Sequence, residues 1–139
     1  MKRSGSMKDD LMQFLMDFAW SHNIGVEIGK FRPGFRARTL PEYNLVIVNT
    51  NWHNHNEVPF SFAHELGHIM NRDTGIRYYE SETVKDKSEY QANLFGIGLL
   101  LQFCKRNGFA FDNSVKFCEV FGIPIELEYI VNLKLKEIM

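Results

Sequence analysis

Residues 64–68 read His64-Glu65-Leu66-Gly67-His68, an H-E-x-x-H pentad set in a stretch whose apolar residues recur at helical spacing. No other feature constrains the chain as much, because it demands a helix with two distinct sides. At about 100° per residue, Phe62, Ala63, Leu66, Ile69 and Met70 form one broad apolar stripe, while His64, Glu65 and His68 share the opposite side. Residues four apart lie on one face, so both imidazoles can reach a single divalent cation, with Glu65 beside it to polarise a water.

The pentad needs support from its surroundings. With 5 His and 11 Glu in 139 residues, a shuffled chain shows it roughly once in 70 trials. Pro59 suits a first helical turn, Asn56 or a neighbour can act as N-cap, and Asn71 and Gly75 are stop signals, which predicts a helix over about 58–71. Gly67 costs about 1 kcal/mol in mid-helix. Its small size would let another backbone or a substrate come close to the two histidines.

A site with two histidines on one helix needs a further protein ligand. Residues 88–103 are apolar nearly all round, which predicts a helix buried in the middle of the domain. Glu89, Ala92, Asn93, Gly96, Leu100 and Phe103 line one of its stripes. Small residues at 92 and 96 permit close helix packing that would bring Glu89 to the metal. Asn93, one turn further on, is placed to hydrogen-bond a ligand histidine and fix its tautomer. Glu80, Glu82 and Asp86 compete for the ligand role, but they lie in a polar stretch with no helical stripe to aim them.

The run from Phe62 to Ile69, followed by Glu89-Tyr90-Gln91-Ala92-Asn93-Leu94-Phe95, resembles the ImmA/IrrE metallopeptidases, gluzincin-like proteins with the pattern A-H-E-L-G-H and then E-x-x-A-N-x-F-A. The resemblance is specific over 62–95 and extends weakly over about 10–138, with Phe121-Gly122-Ile123-Pro124 resembling the family's F-G-V-S junction. After Phe95 the chain departs from the family's alanines and L-L-M-P ending. The resemblance implies that His64, His68 and Glu89 bind Zn²⁺ and that Glu65 is the general base. It also implies a helix-turn-helix repressor of a phage, mobile element or stress response as substrate.

Length, composition and charge fit a small enzyme. At 139 residues and 45% hydrophobic content the chain can bury one core. A net charge of −1 gives no basic footprint for direct nucleic-acid binding. Lys30, Arg32, Arg36 and Arg38 cluster, and a solvated sheet edge is favoured over an acidic-partner patch. Cys104 and Cys118 read as reduced core thiols. No apolar run is long enough to span a membrane and no signal peptide is visible, so a cytoplasmic protein is expected. Residues 1–8 are expected to be disordered or tag-derived, with 9–139 as a single domain.

The expected fold class is α+β: the metal helix and the buried ligand helix packed with a small, mostly antiparallel sheet, and a helical carboxy terminus. A first helix is predicted over 9–22, strands over 25–31, 35–39 and 44–49, and helices over 112–121 and 124–138. Val115, Phe117, Phe121, Ile125, Ile130 and Leu133 are expected to cap the core. His53 and His55 lie in an Asn-rich loop and read as solvated. Residues 72–88 are expected to be a polar connection beside the cleft, and Tyr78, Tyr79 and Tyr90 are candidate oxyanion donors. The expected chemistry is zinc-assisted peptide hydrolysis. The alternatives are a zinc protein that captures a repressor without cutting it and a purely structural zinc domain.

Overall fold

The computed structural model describes residues 6–71 and 82–138. Helix α1, Met7–Ser21, opens on a reciprocal capping box: the Ser6 hydroxyl accepts from the Asp9 N–H and the Asp9 carboxylate accepts from the Ser6 N–H. The helix thus begins two residues before the predicted start, and Leu11, Leu15 and Ala19 bury its inner face. Residues 1–5, expected to lie outside the fold, are outside the described residues.

Three short strands follow: β1, Gly25–Gly29; β2, Arg38–Leu40; and β3, Leu45–Asn49. The expectation of a mostly antiparallel sheet needs one correction, because the sheet is mixed. Its order is β1-β3-β2, with β2 antiparallel and β1 parallel to the central β3. The chain leaves β1, passes β3 by way of residues 30–37, and enters β2 on the far side. A 3-10 turn at Pro41–Tyr43, closed by Asn44 in the left-handed region, then reverses it into β3. Val46 and Val48 alternate toward the helices and are fully buried.

Helix α2, Val58–Met70, has the predicted extent. Its cap differs from expectation. A 3-10 turn at His55–Glu57 precedes it, with the Asn54 side chain accepting from the Asn56 N–H. Glu57 stands at the N-cap but makes no capping bond, because its carboxylate is taken by the Trp52 indole and the Asn54 amide. Helix α3, Glu82–Asn107, is longer than predicted at both ends. Residues 82–87 are polar but contain no Gly or Pro, so nothing in them stops a helix. Lys105 and Arg106 favour its carboxy-terminal end.

Helices α4, Ser114–Phe121, and α5, Glu128–Ile138, complete the fold. Gly122 joins them in the left-handed region, and a Cβ there would overlap the Asn56 carbonyl, so this corner packs directly on the turn before α2. A 3-10 turn at Ile125–Leu127 separates Pro124 from α5. The expected core cap is corrected here. Phe117, Phe121 and Ile130 are buried, but Val115, Ile125 and Leu133 are exposed. Within α5, Val131 and Leu135 join Ile130 in the core, whereas Tyr129 and Leu133, with Ile125 of the preceding turn, lie on the outer face. Cys104 and Cys118 are free and buried, and burial pushes each thiol up to about 11, with Glu128 adding to the effect at Cys118. Among the described residues, no helix is long and apolar enough to cross a membrane.

Candidate metal centre

The site lies where α2 crosses α3, and small residues on both helices allow the crossing. A Cβ on Gly67 would stand 3.0 Å from the Ala92 carbonyl oxygen and 3.0 Å from the Phe95 Cβ. One on Gly96 would stand 3.2 Å from the His64 backbone nitrogen. At these distances an added Cβ fits only if its neighbours give by a few tenths of an ångström. Ala92 is itself fully buried. The mid-helix glycine therefore serves close backbone approach, as its position beside the histidines suggested.

That approach brings the predicted ligands together. His64 Nε2 is 3.0 Å from Glu89 Oε1, His68 Nε2 is 3.1 Å from Glu89 Oε2, and the two Nε2 atoms are 3.2 Å apart. One ligand atom from each of His64, His68 and Glu89 lies within 4.8 Å of the other two. The imidazoles stand nearly perpendicular, at 87°. His64 Nδ1 is 2.8 Å from Asn93 Oδ1. An amide oxygen only accepts, so the proton sits on Nδ1 and the Nε2 lone pair is left to face His68 and Glu89. The two nitrogens and the carboxylate form a borderline-soft donor set that suits a divalent transition metal. Where the His64 and His68 Nε2 atoms carry a proton and donate it to Glu89, its carboxyl is held well below the usual carboxylate range.

Glu65 projects from the same helix without joining that cluster. Thr39 on β2 donates its hydroxyl to Glu65 Oε1 at 2.6 Å, and lies 3.0 Å from the Glu65 carbonyl oxygen. Burial raises the Glu65 pKa, while the Thr39 hydrogen bond and the nearby histidines pull it down. A carboxylate with a raised pKa, held beside a cation site, is suited to take up a proton. The sequence reading missed Thr39. It stands 26 residues from Glu65, and no local spacing links them.

These groups open into a cleft of about 860 Å³. Phe60, Ser61, His64, Glu65 and His68 from α2, with Asp86, Glu89 and Asn93 from α3, form its helical wall. The segment from Arg36 to Glu42, which contains β2, forms the other. The competing ligand Asp86 lines the cleft but lies outside the metal cluster. Glu80 and the oxyanion candidates Tyr78 and Tyr79 lie outside the described residues, as does Gly75. Tyr90 packs against the core and does not line the cleft. His53 and His55 are exposed and also away from it.

A family model described as Peptidase M78, IrrE N-terminal-like domain, matches residues 22–110, well over half of the chain. The match spans the sheet and both helices of the centre, and ends before α4 and α5. No curated protein and no solved structure shows significant similarity to the chain. The chain belongs to the IrrE N-terminal-like family of peptidases.

Proposed function

We propose that this peptidase-family protein is a zinc-dependent endopeptidase in which His64, His68 and Glu89 hold the metal and Glu65 is the general base. One observation carries the reading: three electron-pair donors converge on a single point beside a buried carboxylate that is not one of them. Three protein ligands leave a coordination position open, unlike structural zinc sites, which are usually closed by four. When bound, Zn²⁺ supplies Lewis acidity toward a water and the scissile carbonyl. Asn93 holds the His64 tautomer. Glu65 takes the proton of the attacking water and passes it to the leaving amine. The Thr39 hydroxyl occupies Oε1 and leaves Oε2 for the water. The free edge of β2 along the cleft gives an extended peptide a row of backbone groups to pair with.

The substrate implied by the family resemblance is a helix-turn-helix repressor of a phage, mobile element or stress response, cut to release its genes. This reading carries with it a cytoplasmic protein that binds neither nucleic acid nor membrane directly. The paired test is zinc content and repressor cleavage in Glu65→Gln protein. Zinc is retained and cleavage falls by about 10²–10⁴. His64→Ala and Glu89→Ala lose both. Undiminished zinc in those two variants rejects the metal site. Full derepression in cells by Glu65→Gln rejects proteolysis in favour of stoichiometric capture of the repressor.

A further inference from the structure

Residues 30–38 read Lys-Phe-Arg-Pro-Gly-Phe-Arg-Ala-Arg, four cations and no acid in a chain of net charge −1. The fold holds this segment firmly. Asn49 is only 2% exposed, and all four hydrogen-bonding positions of its side chain are used. Its oxygen accepts from the Phe31 N–H at 3.0 Å and the Asn51 N–H at 2.9 Å, and its nitrogen donates to the Arg32 carbonyl at 2.8 Å and the Phe35 carbonyl at 2.9 Å. The Asn51 amide donates to the Phe31 carbonyl, and the His53 N–H to the Pro33 carbonyl. A buried amide that gives three of its four hydrogen bonds to a surface loop fixes that loop's shape.

Lys30, Arg32, Arg36 and Arg38 have no carboxylate within ion-pair distance among the described residues. The two that line the cleft are held by aromatic rings instead. The Arg36 guanidinium lies 5.4 Å from the Trp52 ring centre, and that of Arg38 lies 4.7 Å from the Phe35 ring centre. Glu57, the acid next to Trp52, is committed to the indole and to Asn54. A cation fixed over a ring keeps its outward side free for an anion and loses little freedom on meeting one.

We propose that this loop is a preformed cationic rim that selects an acidic segment of the partner protein, with carboxylates placed opposite Arg36 and Arg38. The proposal deepens the peptidase reading and rests on it. A strand laid along β2 meets the arginines at one end and Glu42, which also lines the cleft, at the other. The charge preference therefore has a direction along the peptide. Opposite charges facing each other across paired strands attract, and like charges repel.

The test is fluorescence anisotropy with two short labelled peptides, one carrying glutamates at alternate positions and one carrying lysines in their place. The protein is Glu65→Gln, loaded with zinc, so that binding is read without cleavage. The glutamate peptide binds at least about tenfold tighter than the lysine peptide, and the difference shrinks as salt rises from about 50 to 300 mM. Arg36→Glu with Arg38→Glu inverts the preference. Arg36→Gln with Arg38→Gln, which keeps length and polarity, abolishes it and covers the case in which the reversed protein fails to fold. Equal binding of the two peptides, or a preference that survives both double variants, overturns the proposal. Duplex DNA competing more strongly than the glutamate peptide also overturns it. A wild-type protein that leaves the repressor uncut rejects the peptidase reading and leaves the charge preference standing. Equal binding of the two peptides by a protein with both arginines intact, whose wild type still cuts the repressor, rejects the rim alone.

Discussion

On the helical wall of the cleft, α2 and α3 meet at glycines and an alanine, and the groups with chemistry on them project from the crossing at helical spacing. On the strand wall, a loop without regular structure is held by side-chain amides bonded to backbone groups, and Arg36 and Arg38 rest on aromatic rings. The first wall is rigid because two backbones touch. The second is ordered because polar groups with no ladder partner have been satisfied one by one. The difference divides the cleft: the close-packed wall carries the metal-ligating groups and Glu65, and the hydrogen-bonded wall carries the edge strand β2.

The comparison breaks most visibly at the crossing. Gly67→Val places branched carbon atoms against the Ala92 backbone and Phe95, and should cost about 3 kcal/mol and reduce zinc content, read by chemical denaturation and metal analysis. A variant of wild-type stability would show that the helices can separate without loss. On the strand wall, Asn49→Ala leaves two N–H groups and two carbonyls without their partner. Water can reach a surface loop, so the expected cost is about 2 kcal/mol, with faster hydrogen exchange at the Phe31 and Asn51 amides. If exchange accelerates equally on α3, the two walls do not behave as separate units.

Thr39 bridges the walls, so its removal sharpens the comparison. Thr39→Val is expected to lower kcat about tenfold, or about 1.4 kcal/mol in the barrier, with KM and zinc content little changed. Thr39→Ser should restore the rate because it keeps the hydroxyl. A valine variant with normal kcat would mean that Glu65 needs no tether to β2.

The smallest effect concerns the metal-free protein. The folded-state pKa of Glu89 is depressed below its ordinary 4.5 by the two histidines. Its contribution to stability is therefore present above that value and is lost as pH falls toward the folded-state pKa. Glu65, with a raised pKa, has the opposite sign: its relative contribution is full below 4.5 and fades as pH rises through its folded-state value. Glu89 is half exposed, so the difference in Tm between wild type and Glu89→Gln in chelator should be a few degrees near pH 6, and should shrink progressively as pH falls below 4.5 without yet vanishing at pH 3. A gap that widens on acidification would reverse the assigned sign.

Much of the helical wall can be read from the chain. The pentad, the apolar stripe of α2, and Glu89, Ala92, Asn93 and Gly96 at helical intervals all follow from a period of about 3.6 residues, which acts over a few neighbours. The sequence alone therefore determined that this protein has an amphipathic helix bearing two histidines and a glutamate. It also determined a second, apolar helix with an acid and small residues on one stripe, and one core of ordinary composition.

Only the tertiary structure decided the other wall and the outer face of the carboxy-terminal pair. Thr39 reaches Glu65 across 26 residues, and Asn49 reaches back 17 residues to the Arg32 carbonyl, contacts that no local pattern encodes. The parallel pairing of β1 with β3 depends on how the 30–38 loop passes the sheet. The outward position of Ile125 and Leu133 depends on which face of the 3-10 turn and of α5 packs on the core. Periodicity is a property of adjacent residues, whereas hydrogen bonds between distant polar groups exist only after the chain has closed on itself, so one wall was legible beforehand and the other was not.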